Sequence, residues 1–194
     1  VHLSLDDAPR RVSLSSFDGE RREVARLALM RMVDTGRYQP QDIEEFVAEA
    51  EAGMDAFVLQ TGREAFVEAV LDEQAAAPDD MLRVMGRLAY QNAFGQNVLR
   101  HCVEVAHLAG VMADELGLDS KLARRAGFFH DVGKALTPDD VGAHPEAGAK
   151  FAAACGEPPD VVHAIEAHHE DVKPRTLVAA LVAAANAVSQ SRPG

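Results

Sequence analysis

Tryptophan is absent from this 194-residue chain, aromatic residues of any kind make up 5%, and cysteine occurs only twice. The two cysteines, Cys102 and Cys155, sit among apolar or small residues. That setting predicts buried free thiols in a reducing cytosol. No run of about 18 apolar residues is present and no charged-then-apolar leader opens the chain, so nothing in it reads as a membrane span or an export signal. Internal repeats and low-complexity tracts are also missing. What remains is an apolar fraction of 47%, rich in Ala and Val. This is the composition of a soluble, mostly helical protein with enough length for one good-sized core.

The net charge is −12, but it is unevenly spread. Residues 1–40 hold seven Arg against six acids, and residues 83–194 hold eleven bases against thirteen acids. Between them, residues 41–82 hold twelve acids and only Arg63. The acidity therefore belongs to one segment. The rest is nearly neutral, which neither excludes a nucleic-acid partner nor points to one.

Apolar–polar alternation on both sides of "DDAPR" predicts two short strands around a turn in residues 1–18. From Gly19 to about Arg37 the spacing becomes helical, with Val24, Leu27, Ala28, Met30 and Val33 on one face and Gly36 as the stop. An acidic helix follows from Gln41 to Thr61, its apolar stripe formed by Ile43, Phe46, Val47, Ala50, Met54, Phe57 and Val58. A coiled-coil arm and a packed helix both fit that stripe. Helices are expected at about 81–93, 97–116, 120–131, 145–155, 159–169 and 175–190, separated by "GLD", "DVGK", "GEPPD" and "DVKPR". With no strand expected after residue 40, the fold class is mainly all-α, a helical bundle preceded by a partial α+β remnant.

Seven of the eight histidines lie between positions 101 and 169. His101 falls on the apolar stripe of its helix with Val98, Val105, Leu108 and Met112. "AGFFHDVGKA" sets His130 and Asp131 at the last turn of an apolar helix, with Gly133 as its expected C-terminal stop. "GAHPEAGA" puts His144 before Pro145, a helix start, and "IEAHHED" ends a helix on His168 and His169. Each taken alone has a plainer explanation: a hydrogen-bonded core histidine, a charged pair at a helix end, or surface decoration. The ordered combination points instead to a metal site with mixed nitrogen and oxygen ligands. His107 and His163 lie in apolar helices outside that order and read as core residues, and His2 as a strand or tail residue. One more polar group stands out. Asn186 alone interrupts the apolar run from Leu177 to Val188, and a buried amide without partners costs about 1–3 kcal/mol.

The order His, His-Asp, His, His-His resembles that of the HD superfamily of metal-dependent phosphohydrolases. Phrase by phrase, "GRLAYQNAFGQNVLRHCVEVAHLAG", "RRAGFFHDVGKA", "GAHPEAGAKFA", "IEAHHEDVKP" and "LVAAANAVSQSRPG" resemble the HD domain of the ribonuclease Y family. "LSLDDAPRRVSLSSFDGERREVARLAL" is similar to the last strands and helix of that family's KH domain. The resemblance implies three parts: a KH-like remnant at 1–40, a linking helical segment at 41–80 and an HD domain at 81–194. It implies one ion held by His101, His130, Asp131 and position 186, where the family carries Asp. A second ion would be held by Asp131 as bridge, His144 and one or both of His168 and His169. The metal is divalent, with Mn, Mg, Zn and Fe not distinguished by the sequence. Asp131 and Lys134 are the expected catalytic pair, Lys134 as a charge for phosphoryl oxygens; a helix-end Lys solvating the dipole is the plainer reading.

The implied activity is endoribonucleolytic cleavage of single-stranded RNA or mRNA at the start of mRNA decay. Implied with it are a homodimer, RNA-degradation partners, and a longer protein anchored to the cytoplasmic face of the bacterial membrane. A phosphohydrolase of nucleotides or cyclic dinucleotides, and a catalytically degenerate dimerising RNA-binding scaffold, are the alternatives. The family's membrane helix, long coiled coil and GxxG clamping loop are not seen here. Without that loop the KH-like remnant is not expected to clamp RNA backbone.

Overall fold

The computed structural model describes residues 1–5, 11–93, 95–137, 143–169 and 171–191. It contains two compact units, Val1–Val58 and Leu59–Gly194. In the first, β1 (His2–Leu5) and β2 (Val12–Ser15) are the two short strands that the alternation predicts, and they pair antiparallel with His2 opposite Ser15. The expected "DDAPR" turn lies outside the described residues. Helix α1 (Gly19–Thr35) begins where the Asp18 side chain accepts from the Arg21 amide and stops at Gly36, whose φ of 67° suits only a residue free of Cβ strain. Its predicted apolar face is incompletely covered: Ala28 is buried, while Met30 and Val33 are exposed.

Helix α2 runs from Pro40 to Val70, nine residues beyond the expected end at Thr61. Gly62 lies inside the continuing helix, where a Cβ would come within 1.9 Å of the Leu82 carbonyl oxygen, so this glycine marks a close helix approach. Phe46, Met54 and Val58 of the predicted stripe are buried, whereas Ile43 and Phe57 are exposed.

In the second unit, α3 (Asp79–Arg87) passes into a 3-10 turn at Leu88–Tyr90 and not into a helix reaching residue 93. A further correction follows. Residues 92–93 (β3) and 96–97 (β4) form a two-residue antiparallel hairpin, so strand does occur after residue 40. Two residues per strand leave no periodicity to read. Asn97 closes this hairpin twice over: its Nδ2 donates to the Ala89 carbonyl at 2.7 Å, and its Oδ1 accepts from the Arg100 amide as the cap of α4 (Val98–Glu115).

Helix α4 packs against α5 (Ser120–Phe129) and α8 (Leu177–Gln190), and α7 (Pro159–Glu166) packs on α5, α8 and α6 (His144–Ala154). Small residues permit these crossings. Ala106, Ala109, Ala113, Ala123 and Ala126 are fully buried, and a Cβ on Gly127 would meet the Ala106 backbone at 2.8 Å. The few aromatics concentrate in one cluster, where Phe66, Phe128 and Phe129 have ring centroids 5.1–5.6 Å apart.

Arg125 lies over Phe66 and Phe129, donates to both oxygens of the fully buried Glu157 carboxylate at 2.7 Å, and reaches the Ala76 carbonyl. Removing one partner from such a pair leaves a charge without its counter-ion in low dielectric. Glu157→Ala is therefore expected to lower unfolding free energy by about 3–5 kcal/mol in a urea titration. A loss below about 1 kcal/mol would show the pair to be incidental to the core.

Candidate metal centre

Four helix ends and two helix faces bring the singled-out residues together. His101 projects from the first turn of α4 and Asn186 from α8. His130 caps the end of α5, and Asp131 leads into a 3-10 turn at Val132–Ala135 that carries Lys134. His144 opens α6 ahead of Pro145, as expected, and His168 and His169 follow the end of α7 at Glu166. His101, His130, Asp131, His144, His168 and Asn186 are all buried, and His169 is half-buried.

Gly133 has a different role from the expected helix stop. It lies inside the 3-10 turn, where a Cβ would come within 1.9 Å of the His144 carbonyl oxygen and 3.0 Å of the Gly148 amide. The missing side chain lets α6 approach closely enough to present His144 to Asp131.

Asp131 is the centre of the cluster. Its Oδ1 lies 3.2 Å from His144 Nε2 and 3.5 Å from His168 Nε2, and its Oδ2 lies 3.3 Å from His130 Nε2 and 3.8 Å from His101 Nε2. The Nε2 atoms of His144 and His168 are 3.2 Å apart, and the centroid of the His169 ring lies 4.2 Å from that of His168, with the rings tilted by 45°. Two compact donor groups result, His101–His130–Asp131 and His144–His168–His169, each with its donor atoms within 4.8 Å of one another.

Hydrogen bonds settle where two of the imidazole protons are. Nδ1 of His130 lies 2.7 Å from the Gly127 carbonyl, and Nδ1 of His168 lies 2.7 Å from the Ile165 carbonyl. A carbonyl only accepts, so both rings carry their proton on Nδ1 and turn a lone pair on Nε2 toward Asp131. Burial pushes the His101 and His168 imidazoles toward the neutral form. His169 is pushed down to about 4 by burial and then by His168 and His144. Burial opposes the charge on Asp131 too, yet His130, His144 and His168, when they carry a proton toward it, hold its carboxyl well below the usual range.

A carboxylate ringed by imidazole lone pairs at these distances is repulsive unless a proton or a cation lies between them. Two atoms make the point directly: His130 Nε2 and Asp131 Oδ1 are buried with no hydrogen-bond partner. Nitrogen and oxygen donors in this mixture suit a divalent metal. Lys134 Nζ, 2.6 Å from Asp131 Oδ2, is the cation now in contact with that carboxylate. Its ammonium is thus tied to Asp131 instead of standing free for a substrate.

Asn186 is where an isolated polar residue in an apolar helix belongs. Its Oδ1 lies 3.0 Å from His101 Nε2 and accepts from Gln190 Nε2 at 3.0 Å. The remaining histidines are structural, as their place outside the ordered pattern predicts. His107 Nε2 donates to the Glu68 carbonyl, His163 Nε2 accepts from the Arg175 amide, and His2 is exposed on β1. Cys102 and Cys155 are both free thiols, the former fully buried.

The sequence reading missed Glu104, Ser189, Gln190 and Gln96. Glu104 and Ser189 each lie three residues beyond a singled-out residue, His101 and Asn186, and that helical spacing was the available signal. Gln96, from the unforeseen hairpin, joins Ala93, Val98, His101, Lys134 and Gln190 in lining a narrow cleft that opens beside the cluster.

Residues 98–190 match the HD domain family, and the buried His-Asp centre lies within them. The segment that carries the centre is thus similar to an HD domain. Its whole length is similar to ribonuclease Y: 45% identical to the enzyme of Desulforamulus reducens, and 47% identical to those of Desulforudis audaxviator and Thermus thermophilus. All 194 residues are covered in each comparison, against 37%, 37% and 33% of those relatives. The chain therefore spans about a third of the length of the curated relatives it matches. No solved structure matches it. Among the described residues, no helix is long and apolar enough to cross a membrane.

Gly133→Ala tests how the centre is assembled. Forcing a methyl group against the His144 carbonyl costs about 1–3 kcal/mol as overpacking, which for a chain of this size lowers Tm by about 3–10 °C. An unchanged thermal melt would show that α6 can retreat without penalty.

Proposed function

We propose that this chain is the hydrolytic part of a metal-dependent endoribonuclease, acting on phosphodiester bonds of single-stranded RNA at the start of mRNA decay. One observation carries the proposal: several imidazole nitrogens and a carboxylate, two of the donor atoms without any hydrogen-bond partner, converge in a buried pocket where only protons or cations can reconcile them. The whole-length similarity to ribonuclease Y selects RNA over nucleotides or cyclic dinucleotides.

The donor set fits two divalent ions. His101, His130, Asp131 and Asn186 would hold one. His144, His168, His169 and the same Asp131 would hold the other. A divalent ion bound there supplies Lewis acidity, lowering the pKa of its water to about 7. The protein's share is to fix the donors. The Gly127 and Ile165 carbonyls hold the His130 and His168 rings with Nε2 inward, and burial keeps bulk water from competing. Cation binding would also displace the Lys134 ammonium from Asp131. Lys134 also lines the narrow cleft beside the cluster, so its charge would then be available to phosphoryl oxygens of a strand bound at the mouth of that cleft. Residues 81–194 serve as the HD domain in this reading, 41–80 as the linking segment and 1–40 as the KH-like remnant. The homodimer, the RNA-degradation partners and membrane attachment of the longer protein belong to the same proposal.

Asp131→Asn keeps the shape but removes the charge shared by both ions. It is expected to abolish Mn binding by elemental analysis and cleavage of a single-stranded RNA in Mn or Mg, with the far-ultraviolet circular dichroism unchanged. Unaltered metal stoichiometry would sink the assignment.

Asn186 is neutral where the resemblance expects Asp, so the first ion has one anionic donor fewer. Asn186→Asp should tighten Mn binding and raise RNA cleavage, while in the metal-free protein the new buried carboxylate is destabilising. Paired thermal melts with and without Mn test this. Identical melts and unchanged cleavage would leave position 186 as a hydrogen-bonding group only.

A further inference from the structure

Helix α8 reaches back to α4 through a second side chain. Ser189 Oγ is 2.9 Å from His101 Nδ1 and donates to Glu104 Oε2 at 3.0 Å. Ser189 is fully buried, and Glu104 is one turn along α4 from His101. A hydroxyl has one proton to give, and an ionised carboxylate can only accept. If Ser189 gave its proton to His101, its lone pairs would face the Glu104 carboxylate at 3.0 Å with nothing between. The charge-assisted bond to Glu104 is the stronger choice. The serine oxygen is then left to accept, so the imidazole proton belongs on Nδ1.

The other nitrogen is thereby bare. His101 Nε2 faces Asn186 Oδ1 at 3.0 Å, and Gln190 Nε2 holds that amide oxygen in place at 3.0 Å. Two electron-pair donors meeting in a buried space would suit a shared cation. The opposite tautomer would put a proton between them and turn the pair into a closed hydrogen bond.

We propose that Glu104, acting through Ser189, is a positioning residue that sets the tautomer of His101 and keeps its Nε2 lone pair ready for a divalent ion. This rests on the metal-centre reading above. Glu104→Gln is nearly isosteric and reverses the logic. Its amide can donate to Ser189 Oγ, which frees the serine proton for His101 Nδ1 and moves the imidazole proton to Nε2, against Asn186. Ser189→Ala removes the acceptor at Nδ1 and should favour the same tautomer.

The test uses the full chain, labelled with 15N-histidine and free of metal, at pH 8, above the ordinary imidazole value of about 6.5. Long-range proton–nitrogen correlations report which His101 nitrogen is protonated. Wild type is expected to show Nδ1–H, and Glu104→Gln and Ser189→Ala to show Nε2–H. Titration with Mn should give affinity about 10–100-fold weaker in both variants, the size of effect typical for the partner of a metal-binding histidine. Nδ1–H retained in both variants would overturn the proposal, as would a tautomer switch that leaves Mn affinity unchanged. A wild-type chain that binds no Mn would overturn the metal reading. The metal-free spectra would still decide the relay by themselves.

Discussion

The structure around the site depends on one buried carboxylate. Asp131 is almost completely enclosed, and desolvation alone would make it a neutral acid. It remains an anion because the Lys134 ammonium lies 2.6 Å from its Oδ2, and because four imidazoles within 3.8 Å of it can offset its charge whenever a proton is shared between a ring and the carboxylate. The metal-free state is thus held by exchangeable protons and one ammonium. A divalent ion taking those lone pairs, as proposed, would compete with protons for them, so its binding would be coupled to proton release.

Convergence of so many elements on one point requires them to cross closely, which accounts for the composition. Large side chains between α4 and α5, or between the 132–135 turn and α6, would push the imidazoles out of reach of Asp131. Alanine and glycine fill those crossings, and the bulk needed elsewhere is gathered into the Phe66–Phe128–Phe129 cluster with Arg125 over it. Scarcity of aromatics and precision of the site have a common origin here.

Much of this was legible in the sequence. Helical periodicity located α4 to α8 to within a few residues, and the ordered histidines identified the cluster, Asn186 included. The errors have local physical causes. Gly133 was read for backbone freedom and Gly62 was passed over, whereas at both a neighbouring backbone carbonyl occupies the space of a Cβ. Periodicity along one helix cannot reveal such a neighbour. The hairpin at 92–97 was too short for alternation to register. Glu104 and Ser189 looked like ordinary helix residues, since their importance comes from contact with each other across 85 positions of sequence.

His130 and His168 share a geometry with consequences beyond tautomer choice. Each donates to a carbonyl three residues earlier in its own chain, at the end of the helix that delivers it. The imidazole is thus its helix's own terminus, seated at the negative pole of the aligned peptide dipoles. That pole pulls on the Nδ1 proton and makes the far nitrogen a stronger electron donor. It also binds the donor's aim to the integrity of the last turn: if α5 or α7 frays there, the ring loses its anchor and its direction together. Two ions, one at each ring and both against Asp131, would clamp the two helix ends together, so the most firmly ordered helical turns of the loaded protein should be terminal ones, where helices ordinarily loosen first.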